Sequence, residues 1–117
     1  MKYARLVYLV EKDMNALSKK EADTCTEESL AYDEGLRRSG HFLAAHALQP
    51  VETATTIRVR NGKLSTTDGP FAETTEQLGG FILIEARDLN DAIQVAAKIP
   101  MGRRGTIEVR PIMELKR

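Results

Sequence analysis

Residues 3–10, YARLVYLV, are β-branched, aromatic and aliphatic apart from Arg5, and predict a first strand. After the polar stretch Glu11–Asn15 the period changes. Ser18 and Glu21 match the S-x-x-E capping box, with Leu17 and Ala22 placed as a hydrophobic staple. Ala22, Cys25, Ser29, Tyr32 and Leu36 then recur three and four apart, which is one weakly apolar helix face, and Gly40 is the stop. Phe42–Leu48 predicts a second strand ended by Pro50, and Thr53–Arg60 a third. Asn61-Gly62 favours a type I′ turn into Lys63–Thr67. Asp68-Gly69-Pro70 is a turn cluster, and Phe71–Leu78 reads as a polar loop or short helical turn. Gly79–Ala86 predicts another strand. Asp88 caps a second helix carrying Leu89, Ala92, Ile93, Ala96 and Ala97, ended by Pro100. A basic loop, Met101–Gly105, leads to a last strand over Thr106–Leu115.

The order β-α-β, hairpin, β-α-β is the split βαβ plan. The expected fold is α+β and ferredoxin-like, with an inserted β-hairpin and both helices on one face of a mainly antiparallel sheet. No linker or repeat divides residues 1–117, so one domain is expected. The strands are apolar on both faces. Ala4, Leu6, Tyr8 and Val10 alternate with Tyr3, Arg5, Val7 and Leu9, and Phe81 and Leu83 with Ile82 and Ile84. A sheet covered on one side only is expected to alternate to polar on the other. A wet second face forgoes roughly 1.5–3 kcal/mol per large aliphatic side chain. A homodimer packing two sheets face to face, a dimeric α+β barrel, satisfies both faces. The alternative is that the hairpin segment folds back over the second face.

Length and composition narrow the function. The chain has 117 residues, and 17 basic against 17 acidic residues give zero net charge. That argues against a general nucleic-acid binder or a membrane-surface binder. A single cysteine, Cys25, excludes an internal disulfide framework and a multi-cysteine zinc site. His41 and His46 have no metal-ligand spacing, and no phosphate loop occurs, so neither metal nor cofactor is expected. No signal peptide or membrane span of roughly 20 apolar residues is visible, and the expected location is cytoplasmic.

The run Asp68-Gly69-Pro70-Phe71-Ala72-Glu73-Thr74-Thr75-Glu76-Gln77-Leu78-Gly79-Gly80-Phe81 closely resembles the DGPFAETKEQLGGF signature of DGPF-domain proteins, within the wider YCII-related family. MKYARLVYLV, ATTIRVRNGKLSTTDGPF, DLNDAIQVAAKIP and IEVRPIMEL resemble their counterparts there, so the likeness covers essentially the whole chain. The resemblance implies a ferredoxin-like fold and a dimeric α+β barrel. It implies no settled activity: many members are small uncharacterised bacterial proteins. Some are encoded beside extracytoplasmic-function sigma factors, which implies a possible link to a sigma factor. A few relatives are lyases with a His–Asp proton-transfer pair, whose histidine sits in the first helix. Here Ser29 stands at the corresponding place, and no histidine occurs between Ser18 and Gly40.

The candidate site residues have paired readings. Asp68 either caps its own turn or serves as a general base at the mouth of a dimer cavity. Gly69 and Pro70 shape that turn, and Phe71 is a core plug or cavity wall. Glu73 and Glu76 add polar groups to the pocket or cap a short helix. Gly79-Gly80 marks a bulge or close approach that leaves room beside Phe81. His46 lies among small residues and is either a structural strand histidine or, with Asp68, half of an acid–base pair. His41 reads as a helix-end residue, Cys25 as core, and Arg103 and Arg104 as solvated charges or anion contacts. Three functions follow. One is a dimeric small-molecule-binding or regulatory module that takes a small anionic or aromatic molecule. The second is a lyase or isomerase using His46 and Asp68, with Gly69, Pro70, Phe71, Glu73 and Phe81 around the ligand. The third is a structural or interaction protein with no ligand, which a solidly packed dimer interface without a cavity by Asp68 would favour.

Overall fold

A computed structural model describes residues 1–117. Strand β1 is Lys2–Leu9, β2 Phe42–Ala47, β3 Thr55–Arg60, β4 Lys63–Asp68, β5 Gln77–Glu85 and β6 Gly105–Pro111. The helices are α1 (Glu11–Asn15), α2 (Lys19–Ser39) and α3 (Leu89–Ala96). Four strands form one antiparallel sheet in the order β2-β5-β1-β6. Each β-α-β unit therefore places its two strands one apart, with a strand of the other unit between them. This is the interleaved arrangement expected of a ferredoxin-like α+β fold.

Local chemistry explains the helix ends. The Ser18 hydroxyl accepts from the Glu21 amide at 3.1 Å, while the Glu21 carboxylate accepts from the Ser18 amide at 3.0 Å. Gly40 closes α2 at φ 81°, a left-handed conformation that glycine adopts without a Cβ penalty. The Asp88 carboxylate caps α3 by accepting from the Asp91 amide at 2.8 Å. The sequence reading did not anticipate α1, whose Glu11 carboxylate also accepts from the Val51 amide at 2.8 Å.

The strand registers sort the side chains into two faces. Ala45, Ile82, Arg5 and Val109 lie abreast across the four strands on the face that carries the helices. The core there joins Tyr3, Leu36, Ile84, Ala86 and Ala92, so α2 and α3 share one side. His46, Phe81, Leu6 and Glu108 lie abreast on the opposite, open face. Ala4, Leu6, Tyr8, Phe81 and Leu83 are half-buried on that face. A bulge at Gly79 shifts the β1–β5 register. A Cβ on Gly80 would stand 2.8 Å from the His46 carbonyl, so the close β2–β5 approach requires glycine there.

Strands β3 and β4 pair only with each other. Asn61 and Gly62 both have positive φ, as a type I′ turn requires. The hairpin does not fold back over the open face. Its separation gives a slab of 48 × 46 × 18 Å with a radius of gyration of 16.2 Å, against about 13–14 Å for a compact chain of this length. The last strand ends at Pro111, earlier than expected, with the Ile112 amide still donating to the Lys2 carbonyl at 2.9 Å.

Candidate functional site: a cleft beneath α2

Helix α2 buries one residue, Leu36, near its C-terminal end. The α2 residues that line the space beneath its earlier turns include the larger Leu30 and Tyr32 but are mostly small or polar, Ala22, Cys25, Ser29 and Asp33 among them. Such side chains cannot fill the space above the sheet, and a cleft of about 520 Å³ remains. Its floor is apolar, with Val7, Leu9 and Ile82, and Ile99 and Met101 form a side wall. Tyr32 and Asp33 stand at the end nearer Leu36. An apolar recess with a few polar groups is the usual form of a small-molecule site.

Beside that end lies Arg5, which is 0% exposed. Its Nη1 donates to the Tyr32 hydroxyl at 2.7 Å, and that hydroxyl donates to the Val95 carbonyl at 2.7 Å. Arg5 Nε and Nη2 are buried without a hydrogen-bond partner. Desolvation lowers the Arg5 pKa, with Tyr32 and Asp33 opposing the shift. Desolvation likewise raises the Tyr32 and Asp33 values, opposed by Arg5 in both cases. Sequence reasoning placed Arg5 on the same strand face as Tyr3 and Val7 but assigned it no role. The available signal was a charge on the helix-facing side of an otherwise apolar strand.

The nominated residues fall in two places. His46 and Phe81 are neighbours on the open face, with ring centroids 5.6 Å apart, and their segments of β2 and β5 border the cleft from below. Asp68 ends β4 in the separate hairpin, in a different sheet from His46 on β2. The Asp68 carboxylate does not cap its turn. The turn is held instead by the Gly69 amide on the Ala54 carbonyl at 2.7 Å and by the Thr56 hydroxyl on the Gly69 carbonyl at 2.8 Å. Gly69 and Pro70 are half-buried there, and Glu73 is exposed. Phe71 is 80% exposed, so within one chain it is neither core plug nor cavity wall. Glu76 accepts from the Thr106 hydroxyl at 2.9 Å and ties the loop to β6.

Among the remaining chemical candidates, Arg104 is exposed, Cys25 is half-buried at the cleft rather than in the core, and His41 and Arg103 have structural partners. His41 Nε2 lies 3.2 Å from Asp91, and its Nδ1 lies 2.7 Å from the Ser39 hydroxyl. Arg103 pairs with Glu28 on α2 at 2.6 Å. No group of three histidine, cysteine or carboxylate side chains converges as a metal site. No helix is long and apolar enough to cross a membrane.

Comparison with known proteins agrees with the signature. The family model described as the YCII-related domain matches residues 1–116. The uncharacterized protein R00369 of Rhizobium meliloti (strain 1021) is 35% identical over 114 residues, covering 96% of this chain and 92% of that protein. The chain belongs to the YCII-related family.

Proposed function

We propose that the protein is a homodimeric small-molecule-binding module whose ligand occupies the cleft beneath α2. The observation that carries this reading is the cleft of about 520 Å³, apolar on its floor and polar at one end. The dimer is supported by the open sheet face. Leu6, Phe81 and Leu83 lie there with no element of the same chain packed over them. Pairing two such faces removes them from water.

The lyase or isomerase reading needs Asp68 and His46 within hydrogen-bond reach or bridged by one water. In one chain they occupy separate sheets. On the dimer reading His46 stands on the covered face, so the pair forms only if Asp68 arrives from the partner's hairpin. Binding is therefore the function proposed.

The experiment joins native mass spectrometry of the full chain with sedimentation velocity. The expected result is a dimer that retains a small molecule or acquires one from a metabolite library. A monomer that acquires nothing would overturn the proposal.

A further inference from the structure

Burying a guanidinium is costly unless its donors are met. Arg5 meets one of them, through Tyr32, and leaves Nε and Nη2 unpaired. These two N–H groups share one edge of the guanidinium plane, the edge that receives both oxygens of a carboxylate in parallel hydrogen bonds. Arg5 also sits beside the cleft. Val7, next on its face of β1, and Ile82, its partner on β5, form the floor, while Tyr32 and Asp33 form the end.

We infer that this end of the cleft is a carboxylate subsite, in which the free edge of Arg5 binds a small monocarboxylic acid whose apolar body lies along Val7, Leu9 and Ile82. The inference rests on the cleft being the ligand site and adds the chemical class of the ligand. Access follows from how α2 is seated. Both free nitrogens are closed to solvent in the empty chain, so a ligand reaches them by displacing the α2 wall. Before Leu36 that wall buries no apolar residue and is held by polar ties, Tyr32 to Arg5 and Val95 and Glu28 to Arg103. Asp33 limits the class. A second carboxylate at the same end would face a like charge, so one acid group per ligand is accepted.

The test is isothermal titration of the full chain with phenylacetate, hexanoate and the neutral isostere phenylacetamide. Wild type is expected to bind at least one acid about tenfold or more tightly than the amide, since a charge-assisted pair is lost with the charge. Arg5→Met removes the guanidinium while filling its volume, and is expected to erase the preference for the acid. Arg5→Lys keeps a charge but loses the paired edge, and is expected to bind the acid about tenfold or more weakly than wild type. If Arg5→Met does not fold, Arg5→Lys decides the matter. Equal binding of acid and amide by wild type would overturn the carboxylate subsite and leave the cleft as a ligand site. An unchanged preference in a folded Arg5 variant would do the same. Failure of every probe to bind would overturn both.

Discussion

Arg5 and Tyr32 are joined across three elements. The buried guanidinium on β1 donates to a hydroxyl on α2, and that hydroxyl donates to the Val95 carbonyl of α3. Removing the hydroxyl leaves the third guanidinium nitrogen, Nη1, and a carbonyl without this partner. Tyr32→Phe is expected to lower stability by about 1–3 kcal/mol in urea unfolding, the usual cost of stranding buried polar groups. A change below about 0.5 kcal/mol would show that the link is dispensable.

Gly80 is expected to resist substitution for a packing reason. Its missing Cβ is what lets β2 and β5 approach, with the His46 carbonyl 2.8 Å from where that atom would stand. Gly80→Ala is expected to cost about 1–3 kcal/mol by overpacking. Gly35→Ala is the control, since nothing lies within 4 Å of its Cβ position and its φ is not positive. An α2 glycine replaced by alanine is expected to be neutral or stabilising. Equal melting temperatures for Gly80→Ala and wild type would contradict the account of this glycine.

Much of this was legible along the chain. The Ser18 capping box, the Gly40 stop, the Asp88 cap and the Asn61-Gly62 turn are short-range devices, each written in residues within a few positions of one another. The apolar character of both strand faces was equally plain, because alternation needs only counting. The cleft was less so. Its cause is the small inward side chains Ala22, Cys25 and Ser29, which appeared in the sequence as a weakly apolar helix face and nothing more. The meeting of Arg5 with Tyr32 and Val95 depends on how the layers stack, which no local pattern encodes. The signature from Asp68 to Phe81 marked the family; within one chain its first part builds a turn and loop away from this cleft, while its Gly79, Gly80 and Phe81 lie in β5 at the cleft's border.

Acid stability follows from Asp91. The Arg87 amide, and then His41 and the Arg87 side chain, hold its carboxyl below the usual carboxylate range. The folded chain therefore binds fewer protons at this site than the unfolded chain. Its contribution is complete above the unfolded value of about 3.9 and is lost as pH falls through the lower folded value. Asp91→Asn is expected to be less stable than wild type near neutrality and to lose less stability between about pH 5 and pH 2. Superimposable pH profiles for the two proteins would contradict this.

The open face yields a test of assembly. Leu6 and Phe81 lie side by side on it, in register across β1 and β5. A charge at either position would be buried unpaired in a sheet-to-sheet interface, a cost of several kcal/mol. Leu6→Asp is expected to sediment as a monomer while keeping its circular dichroism spectrum. A variant that folds and remains dimeric would place the interface elsewhere.

His46→Ala and Asp68→Asn separate the binding reading from the acid–base reading. Both residues are exposed, and the Asp68 carboxylate holds no hydrogen bond in its turn. Each change is expected to alter stability by less than about 0.5 kcal/mol. Retention of a ligand carried through purification is expected to be unchanged in Asp68→Asn. Loss of that ligand in both variants, with folding intact, would favour a His46–Asp68 pair formed between copies.

The most direct measurement is amide chemical-shift mapping of the full chain titrated with phenylacetate. The cleft account predicts saturable changes centred on Val7, Tyr32, Asp33 and Ile82, with the hairpin turn at Asp68–Phe71 undisturbed. Changes confined to that turn, or none at saturating ligand, would contradict it.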